Sequence, residues 1–303
     1  MNHHDRPRRR RRRWPWILLG SVVAVLLVAL AALSFAMVPI PPVAGEPVQF
    51  ASGRFEHDLW DRVLQRVVDD AGRVDYRTLQ EDPLDLEKYY LAVATYSPDS
   101  HPEMFPDQDS RLCYWINAYN AAVLKTVLTY YPISSVSEVQ PIWYLGFLPE
   151  NSGFFLLQEP VFGGRPLPLY DLENSVIRKR FGEPRIHFAL NCASGGCPRL
   201  PRQAFRPKTL QQDLDRESRK FFAEERNLRI DHQARKIYLS ALMQWYEADF
   251  LSDRPSSFVP ELYYLFPFLP AGRSGELELA SEAGYAIEFM PYDWRLNDQH
   301  AGR

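Results

Sequence analysis

Between Ile17 and Val38 the chain runs 22 residues without a charge. As a helix rising about 1.5 Å per residue, that stretch is long enough to cross the hydrocarbon core of a bilayer. "RPRRRRRR" stands just before it, with Trp14 and Trp16 at the junction, where amphipathic rings favour the headgroup region. Arginines of this kind stay on the cytoplasmic side, which places the rest of the chain outside. A cleavable signal peptide also starts basic and turns apolar, but its apolar core runs only about 7–15 residues to a small-residue cleavage site. "SFAMVPIPP" offers no Ala-x-Ala. The expected organisation is therefore a basic cytoplasmic tail (1–16), a transmembrane signal-anchor helix (17–38), a proline-rich linker (39–52) and one folded domain (53–303).

Charge narrows the partners. Setting aside residues 1–16, with seven arginines and one aspartate, leaves 28 Lys and Arg against 37 Asp and Glu, a net of −9. An acidic outer domain has no electrostatic footprint for nucleic acid. The arginine run reads instead as a helix-orienting segment that touches anionic lipid, so the expected partners are the bilayer and an envelope protein or peptide.

Helical signals dominate the first half. "HDLWDRVLQRVVDD" (57–70) collects its apolar residues on one face. "DPLDLEKYYLAVATY" (82–96) opens on Asp-Pro. "DSRLCYWINAYNAAVLKTVLTYYP" (109–132) is apolar nearly all round, which predicts a buried central helix ended by Pro132. Later, residues 153–169 read as two short strands about a Gly-Gly turn, 170–182 as a helix, 184–192 as a strand, 207–225 as a surface helix, 228–240 as a hairpin and 285–297 as a closing strand. The expected class is α+β: a single soluble domain with a buried central helix and a small, mainly antiparallel sheet, preceded by one transmembrane helix.

Chemistry concentrates in "RIHFALNCASGGCPRL" (185–200), which holds two of the three cysteines. Read as a strand, it puts His187 and Asn191 on one face, followed by a flexible Ser194-Gly195-Gly196-Cys197 loop. On the central helix Cys113, Asn117 and Asn120 share a stripe, and two buried amides demand a polar network. Glu173, Asn174 and Arg178 form a third polar set, whose default reading is a surface one. His57, His101 and His232 sit in polar stretches and read as solvent-facing.

"YWINAYNAAVLKTVL", "LENSVIRKRFGEPRIHFALNCASGGCPRL" and the terminal "YDWRLN" resemble the bacterial and plant family called domain of unknown function 547, from about Asp75 to Asn297. The resemblance implicates Trp115, Asn117, Tyr119, Asn120, Glu173, Arg178, His187, Asn191, Cys192, Ser194, Cys197 and Pro198. Asn174 departs from it, standing where the pattern has a histidine. Cys113 replaces a bulky apolar residue, which points to the core. The resemblance implies no activity.

Three readings of the cysteine pair stay open. As a thiol acyl-transfer site, a peptidase or amidase of the transglutaminase or papain kind, Cys197 or Cys192 is the nucleophile, His187 the base, and Asn191, Asn117 or Glu173 the group orienting the imidazole. As a disulfide formed outside the cytoplasm, the pair staples a loop that presents Ser194, while Asn117, Asn120 and Arg178 serve binding. As a metal site, His187, Cys192 and Cys197 have no fourth ligand and lack the tight Cys-x-x-Cys spacing. A thioredoxin-type motif is excluded by the same spacing. The expectation is a structural or binding role with the pair disulfide-bonded, with no metal and no cofactor.

Overall fold

The computed structural model describes residues 37–140, 151–250 and 260–301, together with Val22. The span expected over 17–38 falls, apart from Val22 and its last two residues, outside the described residues. Among those described, no helix is long and apolar enough to cross a membrane.

The central helix, Gln108–Tyr130, organises the first of two cores. Asp107 caps it by accepting the Ser110 N–H at 2.7 Å while Ser110 answers the Asp107 backbone, satisfying two donors that a bare helix start would leave open. From Leu112 to Leu124 every residue is buried, as its apolar surround predicts. Leu84–Thr95 packs against it, and Asp58–Val67, which buries Trp60, Val63, Leu64 and Val67, packs in turn on Leu84–Thr95. The proline-rich stretch is docked on this core: Ile40 is buried and its carbonyl accepts the Tyr90 hydroxyl at 2.7 Å.

The sheets depart from expectation. Among the described residues there are two of three strands each, β1 (Val38–Ile40), β2 (Gln158–Phe162) and β3 (Arg165–Pro166), then β4 (Leu228–Asp231), β5 (Lys236–Ser240) and β6 (Ala286–Met290), each in that order. Gly163 and Gly164, both at positive φ, turn β2 antiparallel into β3. The second sheet is mixed, since β4 and β5 form the expected hairpin but β6 joins β5 in parallel. A parallel partner needs a crossover, and the helix Ala271–Glu282 lies within the connection. The closing strand is correspondingly shorter than expected. This sheet carries the second core, of Phe188, Phe221, Phe222, Ile237, Leu239 and neighbours.

One histidine is corrected here. His57 is only 3% exposed and its Nδ1 lies 2.8 Å from the Tyr89 hydroxyl. It stands at the start of its helix, where the chain folds back over Phe55 and Tyr89.

Candidate functional site

The segment read as a strand over 184–192 begins instead with a 3-10 helix, Pro184–Phe188. Pro184 starts it, and the Glu183 carboxylate caps it by accepting the Arg185 N–H at 3.0 Å. Apolar alternation by itself does not separate a strand from such a turn. The consequence is positional. Ile186 and Ala189 enter the first core while Phe188 enters the second, so His187 sits on the seam between them.

His187 Nε2 lies 2.7 Å from Asp249 Oδ2, and the ring stacks on Tyr246 with centroids 3.8 Å apart. Phe250 closes over it edge-on. Trp115 packs on Tyr114 and Phe162. Arg178 grips the same Asp249 with two hydrogen bonds, at 2.7 and 3.0 Å, and lies over the Tyr246 ring. The bond from His187 holds the Asp249 carboxyl well below the usual carboxylate range; partial burial works against this and Arg178 reinforces it.

Glu173, Asn174 and Arg178 ride on a π-helical stretch, Leu172–Arg178, between helical turns Leu169–Asp171 and Lys179–Phe181. Wide turns of this kind occur frequently at functional sites. Arg178 bonds Asn174 within it. Glu173 accepts the Tyr119 hydroxyl at 3.3 Å and also bonds Tyr246. Burial, then the Glu173 charge, pushes both tyrosines' acidity down, so their hydroxyls remain donors.

The three asparagines hold backbone. Asn117 donates to the Phe205 carbonyl at 2.9 Å and accepts its N–H at 3.0 Å. Asn120 does the same across Ala189 and Asn191, at 3.0 and 2.8 Å. Asn191 donates to Pro198 O at 2.7 Å and accepts the Ala193 N–H at 2.9 Å. Each amide therefore fastens the 185–205 segment to the central helix or to itself.

Cys192 and Cys197 are joined in a disulfide with Cα atoms 6.0 Å apart. In that form neither sulfur is a thiolate, the species acyl transfer requires. Cys113 is buried and free, with its thiol pushed up by burial. The chain's C-terminal segment zips onto the loop: Gly195 N–H donates to Arg295 O at 2.7 Å, Gly196 N–H to Asp293 O at 2.8 Å, and Asn297 N–H to Ala193 O at 3.0 Å. This close approach accounts for both glycines. A Cβ on Gly195 would fall 2.6 Å from the Asp293 carboxylate, and one on Gly196 2.8 Å from the Tyr292 ring. Ser194 is buried beside them.

Ser194, Gly195, Cys197 and Pro198 form part of the wall of a cleft of about 700 Å³, whose other walls include Arg73, Glu138, Arg226 and Arg295. Its charges are of both signs and largely paired, as in Arg295–Asp293 at 2.7 Å and Arg226–Glu224. Among the described residues no group of three His, Cys, Asp or Glu could hold a metal ion.

The structure thus gathers Glu173, Arg178 and His187 around Asp249 and Tyr246, and gathers Ser194, Cys192 and Cys197 around Tyr292, while Asn191 clamps the same loop through Pro198 and Ala193. The sequence alone does not single out Asp249, and it marks Tyr246 and Tyr292 only as core or edge aromatics. Tyr246 and Asp249 lie three apart, the spacing of neighbours on a helix surface, and that was the one available signal.

Residues 103–222 match the family described as Protein of unknown function, DUF547. No curated protein and no solved structure matches the chain.

Proposed function

We propose that the protein is held in the cell membrane by its N-terminal apolar segment, with the arginines cytoplasmic. Its folded domain then works outside the cytoplasm as a binding module for an envelope protein or peptide, with Cys192–Cys197 keeping the site loop in shape. The disulfide supports the compartment, since such bonds persist where the environment is oxidising.

The observation that carries the binding role is the cleft. The stapled loop itself forms part of its wall, and its paired charges of both signs suit a polypeptide with mixed side chains and peptide groups. The histidine cluster supports the same reading in a different way: the His187 side chain is 1% exposed and braces the seam behind the loop.

The test uses the full chain in detergent micelles. Fluorescent peptides of mixed charge, drawn from envelope proteins, are titrated against wild type and against Arg226→Glu with Arg295→Glu. Saturable binding weakened about tenfold by the double reversal is the expected result. Absence of binding, or binding indifferent to the reversal, removes the cleft from consideration. Protease added to sealed vesicles of known orientation checks the topology, with the domain digested only where its outer face is exposed.

A further inference from the structure

Three hydrogen-bond donors converge on the Cys197 sulfur. The N–H of Cys192 lies 3.0 Å from it, the N–H of Ser194 3.4 Å, and the Tyr292 hydroxyl 3.1 Å. A disulfide sulfur is a weak acceptor, so these donors gain little while the bond is intact. A thiolate at the same place would receive three charge-assisted hydrogen bonds.

The two amides flank Ala193, whose φ of 63° lies in the left-handed region. Alternate N–H groups turned to one point in this way form an anion-binding nest. The Arg226 guanidinium, itself paired with Glu224, donates to the Cys197 carbonyl at 3.2 Å. Cys192 Sγ differs: its one polar neighbour among these groups is the Tyr292 hydroxyl at 3.0 Å. Cys192 is also half-buried, whereas Cys197 is 2% exposed.

The disulfide is not the nest's sole support. The zipper to Arg295, Asp293 and Asn297 and the Asn191 clamp hold residues 191–197 through hydrogen bonds alone.

We propose that Cys192–Cys197 is a dithiol–disulfide exchange site that accepts electrons from the cysteine thiols of another protein. An incoming thiolate attacks the more accessible Cys192 Sγ. A mixed disulfide forms there, the Cys192–Cys197 bond breaks, and its electron pair leaves on Cys197 as a thiolate held in the nest. The partner's second thiolate then attacks the partner sulfur of the mixed disulfide, forming the partner's disulfide and releasing Cys192, which takes up a proton. The partner dithiol is oxidised and the pair is reduced by two electrons. A stabilised leaving thiolate both speeds this step and favours the reduced form. The inference stands apart from the peptide-binding reading.

The full chain in micelles is equilibrated at neutral pH with mixtures of reduced and oxidised glutathione, acid-quenched and mapped by mass spectrometry. Expected are ready exchange, a glutathione adduct on Cys192, and a reduced protein that keeps its near-ultraviolet circular dichroism. Tyr292→Phe should shift the equilibrium about tenfold toward the disulfide, about 30 mV for two electrons. In Cys192→Ser, where Cys197 stands alone without any reduction step, thiolate absorbance should persist well below the ordinary thiol pKa of about 8.5. A pair inert to millimolar glutathione, an adduct on Cys197, an ordinary titration of Cys197, or unfolding on reduction would each reduce the bond to a staple and overturn the proposal.

Discussion

Two histidines in this protein are equally hidden, His57 and His187 each at 3% exposure, yet the protein surrounds them in opposite ways. His57 lies within the first core, where its Nδ1 meets a phenol, Tyr89. Burial, aided by the positive charge of Arg206 and opposed by Asp58, pushes its pKa down to about 3, so it is held neutral. His187 lies on the seam between the cores and meets a carboxylate, Asp249, which is itself gripped by Arg178. A core tolerates a titratable group by keeping it uncharged, whereas a seam can afford an ionised network because it keeps one side toward water. Burial alone therefore says nothing about role. The partner decides it.

Acid should break the comparison first. The folded pKa of His57 lies below its unfolded value of 6.5, so above pH 6.5 the group costs nothing. As pH falls from 6.5 toward 3 the unfolded chain takes a proton that the native state refuses. At about 1.4 kcal/mol per unit the loss reaches on the order of 5 kcal/mol. Urea melts across this range should show it, and His57→Gln should flatten the slope there. Asp249 titrates in a different window. Its carboxyl is depressed, so its contribution is whole above the ordinary value near 4 and drains only as pH falls below it. The slope remaining in His57→Gln below pH 4 should then shrink when Asp249 is removed as well.

Removing Asp249 outright is the next largest effect. Asp249→Ala leaves His187 Nε2 and the Arg178 fork without their acceptor. Loss of one partner from a fully buried pair costs about 3–5 kcal/mol. Side-chain exposures of 24% and 28% for Arg178 and Asp249 place this one near the lower end, about 3 kcal/mol. Asp249→Asn, which keeps one acceptor, should recover part of the loss in the same melts. Equal stability of Asp249→Ala and wild type would mean that the seam needs no ionic brace.

The two regions were also unequally legible. In the first half the apolar surround of 109–132, the Asp-Pro at 82–83 and the amphipathic 57–70 stretch each determine a local element, and each formed close to its expected bounds. Asn117 and Asn120 announced a network, though not that backbone would be its object. In the second half, the alternation of Ile186, Phe188 and Leu190 concealed a 3-10 turn that sends successive residues into different cores. Gly195 and Gly196 read as flexibility, but they are glycine because Asp293 and Tyr292 come too close for a side chain. Gly272 and Gly275 veiled the helix Ala271–Glu282, which buries Leu277 and Ala280. Asp249 pairs with a histidine 62 residues away, and no periodicity carries information of that range.

Smaller substitutions sharpen what each ring contributes. Tyr89→Phe removes the hydroxyl beside His57 Nδ1 and leaves a buried imidazole nitrogen unbonded, at a cost of about 1–2 kcal/mol. It should also steepen the acid loss little, because burial and not the hydroxyl dominates that histidine's acidity.

The smallest effect expected is at Tyr246, whose ring stacks on His187 while its hydroxyl bonds Glu173. Tyr246→Phe keeps the stack and the cation–π contact with Arg178 and loses one hydrogen bond, about 0.5–1 kcal/mol. Tyr246→Leu loses the ring as well and should cost about 1 kcal/mol more. Denaturation midpoints of the two variants separate the contributions. If Phe and Leu prove equally destabilising, the hydroxyl to Glu173 is what ties the seam, and the stack on His187 is mere proximity. If only Leu destabilises, the ring face holds the imidazole against Asp249, and the contrast with His57, which has no ring stacked closely on it, is one of packing as well as charge.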